Sequence, residues 1–215
     1  MNELINNGAI YKLIEEELKQ LPGEESHIEM IPFRLQSSLS LTKDVTPRLS
    51  AVLCLLYQNH DDIHIVLMER QNYGGTHSGQ ISFPGGKKEN EDSTLIDTAL
   101  RETEEEIGIE RHKVNLLGKL TNVYIPVSNF LVEPYVGWIE APNQFNLSER
   151  EVKTVFNIKF SELLNPLSKT KKNVITHKGH TLKNVPCFYI EERIIWGATS
   201  LMLNELKHLL ERFKT

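Results

Sequence analysis

Apolar positions along this chain follow two rhythms, and the change between them marks the elements. The run Ser50-Ala51-Val52-Leu53-Cys54-Leu55-Leu56-Tyr57 predicts a pairing strand over residues 48–58. Asn59-His60-Asp61-Asp62 makes a turn, and Ile63-His64-Ile65-Val66-Leu67-Met68 returns, giving a hairpin. Further strands are predicted near 113–124 and 130–139, at Val155-Phe156-Asn157-Ile158-Lys159-Phe160, and near 173–178 and 185–191. Helical spacing appears over residues 3–21, with Ile5, Ile10, Leu13, Leu18 and Leu21 apolar, until Pro22-Gly23 ends it. A final amphipathic helix is predicted over 198–213, and a short one at Ser161-Glu162-Leu163-Leu164, ended by Pro166. Residues 24–47 read as a loosely ordered connector. Mixed strands flanked by helices predict an α/β/α sandwich with a mixed sheet and an added N-terminal helix. The division expected is 1–47 as helix and connector packing on the core, and 48–215 as the main domain.

One further helix carries chemistry. At about 100° per residue, Ile96, Ala99, Leu100, Thr103 and Ile107 fall on one buried stripe. Glu102, Glu105 and Glu106 cluster beside that stripe, and Glu104 lies on its other side. Thr94 and Asp97 have capping-box spacing, with Asp92 or Ser93 as alternative caps, and Gly108 stands where a left-handed cap ends a helix. Phe83-Pro84-Gly85-Gly86 leads in, its glycines permitting backbone approaches that a Cβ would forbid. Carboxylates three and four apart repel by a few tenths of a kcal/mol per pair. A divalent cation that prefers oxygen ligands reverses that sign.

This stretch resembles the Nudix box, G-x5-E-x7-R-E-U-x-E-E-x-G-U with U a bulky aliphatic residue. Arg101-Glu102, Glu105-Glu106, Gly108 and Ile109 match in register, while Thr103 stands at the first U. The spacing back to Gly86 is one residue longer, so Ser93 takes the place of the first Glu, with Asp92 or Glu91 as substitutes. The resemblance implies Mg²⁺ or Mn²⁺ held by Glu102, Glu105 and Glu106. It gives Glu102 a further part in positioning or deprotonating the attacking water, and makes Arg101 an orienting ion-pair partner. A further carboxylate is expected some forty residues beyond the box. Glu149 and Glu151 are the candidates, with Glu151 ahead because Glu-Val-x-x-Val-Phe resembles the family's phrase.

Upstream, Val66-Leu67-Met68-Glu69-Arg70 and Gly79-Gln80-Ile81-Ser82-Phe83-Pro84-Gly85-Gly86 resemble the signature of coenzyme A pyrophosphatases. Arg70, Gly79, Phe83, Gly85 and Gly86 keep their places as substrate-binding candidates, with His77 in the intervening loop. A second Arg of the signature is replaced by Gly75. The resemblance implies hydrolysis of coenzyme A or its derivatives. The rivals are ADP-ribose, dinucleotide or nucleoside triphosphate hydrolysis, and a non-catalytic nucleotide sensor. Ser168-Lys169-Thr170-Lys171-Lys172 is a dense basic run and a candidate for a 3′-phosphate contact.

Composition narrows the setting. The 215 residues carry a net charge of −5, which argues against nucleic-acid binding through a global basic field. The two cysteines, Cys54 and Cys187, lie in apolar strand-like runs without zinc spacing and read as buried free thiols. No apolar run approaches the roughly 20 residues of a membrane span. A cytoplasmic protein with a small nucleotide-type substrate is expected, and a homodimer is compatible with this reading.

Overall fold

Strand β1 (Arg48–Asn59) organises the fold because its side chains alternate between two cores. A computed structural model of the chain describes residues 10–32, 46–72, 79–176 and 179–212. From β1, Leu53, Leu55 and Tyr57 point to one face, where Ala99 and Ile107 of helix α3 (Leu95–Ile107) pack with Val66 and Met68. Cys54 and Leu56 point to the other face. There they meet Ile14 of helix α1 (Ile10–Glu17) and Leu203, Leu206 and Leu210 of helix α5 (Ala198–Glu211). Each fully buried Leu contributes about 1.5–3 kcal/mol, so helices are held on both faces. The α/β/α sandwich with a mixed sheet is the observed architecture.

The pairing positions the site. β1 runs antiparallel to β2 (Asp62–Arg70), with Leu56 opposite Ile65 and the turn at His60-Asp61, where His60 has φ 52°. Beyond β2 come β3 (Ile81–Ser82) and β4 (Gly85–Lys87); β3 pairs with β2, and β4 with the start of β1. Val52 stands opposite Gly85, which brings the glycine loop to the middle of the sheet. Further along come β5 (Asn115–Lys119), β6 (Val123–Ile125) and β7 (Phe130–Trp138). β7 lies parallel to β1, with Leu53 opposite Tyr135, while β5 and β6 both pair with β7. A parallel pair needs a long crossover, and α3 lies within it. β8 (Val152–Lys159) adds to β2 with Arg70 opposite Val152, so Glu151 arrives beside Arg70.

Several elements depart from expectation. Within the proposed connector, Glu24–Ile28 forms helix α2 with Ser26 and His27 buried; residues 33–45 lie outside the described part. The strand expected over 113–124 is broken into β5 and β6 and preceded by a 3-10 turn at Arg111–Lys113. Helix α4 starts at Phe160 and ends at Leu163, and Pro166 opens a 3-10 turn, where its missing N–H costs nothing. The last strands form a separate sheet, β9 (Lys169–Ile175), β10 (Thr181–Ile190) and β11 (Arg193–Ile195). The basic run therefore sits in a strand, and β11 has no counterpart among the predicted elements. Cys54 and Cys187 are free and buried, as expected. Among the described residues no helix is long and apolar enough to cross a membrane.

Candidate active site

Helix α3 begins where the sequence puts its cap. The Asp97 N–H donates to Thr94 Oγ1 at 3.2 Å, and the Thr94 N–H donates to Asp97 Oδ2 at 2.8 Å. It ends at Gly108, with φ 74°; a Cβ there would collide with Asn146. Between these ends the helix presents Arg101, Glu102, Glu105 and Glu106 toward the glycine loop and its surroundings.

Arg101 acts as a brace. Its Nε and Nη2 donate to Asp92 Oδ1 and Oδ2, both at 2.9 Å, a two-pronged contact of the stronger kind. Its Nη1 donates to Glu102 Oε1 at 3.0 Å and to Glu105 Oε2 at 3.1 Å. Asp92 also accepts from Thr98 Oγ1 and the Glu89 N–H, each at 2.9 Å. The Arg101 hydrogen bonds hold the Asp92 carboxyl well below the usual carboxylate range, and Asp92 in turn raises Arg101. Asp92, one residue from the vacant Glu position of the box, is thus committed to the brace.

Glu102, Glu106 and Glu151 converge, with one carboxylate oxygen of each lying within 4.8 Å of the others. Glu106 is fully buried. Its Oε2 accepts from the Gly85 N–H at 2.8 Å. Its Oε1 lies 2.9 Å from Arg70 Nη1, yet no N–H is aligned for a hydrogen bond. The contact is an ion pair that leaves a buried lone pair open. Gly85, at φ 145°, lies so close to Ala51 and Val52 that any side chain would strike them. A Cβ at Gly86 would collide with the Glu102 carboxylate. Gly85 is therefore required for the approach of the loop to β1, and Gly86 for its approach to the helix.

Burial pushes the Glu106 carboxyl up to about 7; Arg70 and the Gly85 N–H oppose that rise, while Glu102 and Glu151 add to it. Glu102 is also raised, first by burial and against Arg101, with Glu105 and Glu151 pushing the same way as burial. Carboxylates crowded this closely take up a proton or are joined by a cation. The open lone pair and the all-oxygen donor set fit a hard divalent ion. A cavity of about 470 Å³ opens onto this point, lined by Arg70, Gly86, Lys87, Glu102, Arg150 and Glu151.

The structure does not bring Glu105 into this group. Its side chain is 55% exposed and paired with Arg101. The reason is angular. At about 100° per residue, Glu106 and Glu105 lie about 40° and 60° to opposite sides of Glu102, and the sheet lies on the Glu106 side. Phe83 is a core residue, 1% exposed, and offers no surface to a ligand. Gly79 takes a left-handed φ of 68° against Asn72. His77 lies outside the described residues. In the basic run, Lys169 pairs with Glu29, and Lys172 Nζ stands 4.0 Å over the Tyr189 ring.

Residues 47–177 match the family described as NUDIX domain. The chain belongs to the Nudix hydrolase family. It is 31% identical over 206 residues to the uncharacterized Nudix hydrolase NudL of Yersinia pestis (strain Pestoides F), covering 96% of this chain and 97% of that one. To NudL of Yersinia enterocolitica serotype O:8 it is 37% identical over 142 residues, 66% of this chain and 71% of the relative. Among solved structures, the Nudix hydrolase RenU from M. smegmatis shares the fold with a TM-score of 0.52. The identity is 12%, over 78% of this chain and 86% of that chain. The Gly85–Glu106 hydrogen bond and the close approach of Gly86 to Glu102 join loop and helix as one unit. Sequence reasoning missed the depth at which Glu106 is buried. The signal available was its spacing: four residues after Glu102, it sits beside buried Ile107.

Proposed function

We propose that this Nudix protein is a Mg²⁺- or Mn²⁺-dependent pyrophosphohydrolase acting on coenzyme A or its derivatives, with phosphopantetheine-type and 3′,5′-ADP-type products. The observation that carries the reading is the convergence of Glu102, Glu106 and Glu151 on one cavity wall beside Arg70 and Gly86. A divalent cation held by these three carboxylates would polarise a phosphoryl group and lower the pKa of a bound water. Glu106, buried and fixed by the Gly85 N–H, suits an anchoring ligand. Glu102 and the exposed Glu151 are the groups able to orient a water and accept its proton. Arg101 is a positioning residue, acting through Asp92 and Glu102. Burial pushes both cysteine thiols up, which disfavours a thiolate nucleophile.

The coenzyme A assignment rests on Arg70, Gly79 and Phe83-Pro84-Gly85-Gly86. A panel of coenzyme A, dephospho-coenzyme A, ADP-ribose, a dinucleotide and a nucleoside triphosphate, with products identified by mass, tests it. Coenzyme A is expected to give the highest kcat/KM. It should exceed dephospho-coenzyme A by on the order of tenfold, the worth of one charge-assisted contact to the 3′-phosphate. ADP-ribose or a triphosphate winning by tenfold or more would remove the coenzyme A reading and leave the metal chemistry standing.

Metal dependence has its own check. Turnover should vanish in excess chelator and return when Mg²⁺ or Mn²⁺ is restored. Hydrolysis that persists through chelation would contradict the proposed role of the three carboxylates.

A further inference from the structure

The cavity holds more positive charge than its carboxylates use. Arg70 is ion-paired with Glu106. The guanidinium of Arg150 and the ammonium of Lys87 line the same cavity, and among the described residues neither has a hydrogen bond, ion pair or ring contact. That is unexpected beside Glu102 and Glu151, where an idle cation would ordinarily find a carboxylate.

Both side chains stand on firm mounts. Arg150 occupies a turn closed by the Glu151 N–H and Val152 N–H on Ser148 O, at 3.0 and 2.9 Å. Gln71, next to Arg70, ties that turn down twice: its N–H donates to Glu151 O at 2.8 Å and its Nε2 to Glu149 O at 3.1 Å. Lys87 lies in β4, opposite Ser50, and its carbonyl accepts from Arg101 Nη2 at 3.3 Å. The two cations are thus held at the rim by the same elements that hold the carboxylates.

Charge decides what they face. Three carboxylates and Arg70 leave a double negative charge, which a divalent ion neutralises. A phosphoanhydride brings at least two more negative charges, and Arg150 and Lys87 are the groups in the cavity wall left to balance them. We propose that Arg150, with Lys87, forms the phosphate-binding clamp of this site, gripping the diphosphate of a nucleoside diphosphate-linked substrate. Arg150 offers a planar fork suited to two phosphate oxygens, and Lys87 a point charge. The inference rests on the reading of the cavity as a phosphoanhydride site, not on the identity of the group beyond the diphosphate.

The test uses the full chain with Mg²⁺ present and two readouts. Calorimetric binding of ADP and of inorganic pyrophosphate should weaken by on the order of tenfold in Arg150→Ala and in Lys87→Ala, and further in the double variant. Arg150→Lys should recover part of the loss, since it keeps the charge and loses the fork. Lys113→Ala removes an exposed cation paired with Glu110 and should leave binding unchanged. In turnover, kcat/KM should fall by a similar factor on every substrate that the protein cleaves. If ADP-ribose proves the best substrate and Arg150→Ala still loses that factor, the coenzyme A reading fails and the clamp stands. If coenzyme A is best and the double variant binds and cleaves as the wild type does, the clamp is wrong and the substrate reading stands. A wild-type protein that binds neither ADP nor pyrophosphate would overturn the clamp as well.

Discussion

Glu106→Gln should lower kcat by on the order of a thousandfold while leaving the protein folded. Gln keeps the shape, and it removes the charge that an anchoring metal ligand supplies, a loss worth several kcal/mol in the transition state. Stability should move the other way. Burial first of all pushes the Glu106 carboxyl up from the usual carboxylate range to about 7. A carboxyl raised in the folded state contributes stability below its unfolded pKa and loses it as pH rises through the folded one. Between about pH 4.5 and 7 the metal-free wild type therefore gives up stability that Glu106→Gln keeps, up to about 3 kcal/mol. Thermal melts of both proteins in chelator at pH 5 and pH 8 read this directly: the variant should gain on the wild type at pH 8. Glu104→Gln is the activity control, since Glu104 pairs with Arg111 away from the cavity. Glu105→Gln should cost far less than Glu106→Gln, because its carboxylate lies outside the converging group. Near-wild-type turnover in folded Glu106→Gln would end the assignment.

What the sequence made legible was local. Helix α3 could be read because Thr94, Asp97 and Gly108 act within a few residues of themselves, and the cap contacts formed as expected. The hairpin of β1 and β2 was legible for the same reason. Periodicity also placed Glu102, Glu105 and Glu106 beside the buried stripe. It could not say on which side the sheet would lie, and that side separates buried Glu106 from exposed Glu105. Register is what carries Glu151 to Glu102 and Glu106: Arg70 opposite Val152 is a pairing of residues 82 apart, invisible to any window of sequence.

The missed elements share a cause. Helix α2 has five residues and no side-chain cap of its own, and what holds it comes from α5. Asn204 Nδ2 donates to Ser26 O at 2.6 Å, and Glu205 meets His27. β11 is three residues long and exists through pairing with β10. By position Asp92 was a substitute for the first Glu of the box. Its geometry shows a different use, because the guanidinium of Arg101 reaches it first.

Glu205→Ala should destabilise the fold by about 3 kcal/mol, the range for removing one partner of a buried charged network. Glu205 is fully buried on α5. Its Oε1 accepts from Thr121 Oγ1 at 2.6 Å and from the Gly23 N–H at 3.1 Å. Its Oε2 accepts from the Thr121 N–H at 3.0 Å and lies 3.1 Å from His27 Nε2. One carboxylate thus ties α2, the segment after β5 and α5 together, and removing it leaves buried donors without acceptors. For a chain of this size the loss corresponds to a fall in Tm of roughly 6–12 °C. Burial alone would raise the Glu205 carboxyl; the hydrogen bonds from His27 and Thr121 outweigh it, and the group is held below the usual carboxylate range. A lowered carboxyl contributes stability above its unfolded pKa and loses it as pH falls through the folded one. The gap in Tm between wild type and Glu205→Gln, which keeps the size of the side chain, should therefore be widest near neutrality and narrow below about pH 4.5. Turnover at 25 °C should be nearly unchanged in Glu205→Gln, because the network lies among elements that do not line the cavity. A Tm within 2 °C of wild type for Glu205→Ala at pH 7, where roughly 6–12 °C is expected, would show that this carboxylate does not hold α2 in place.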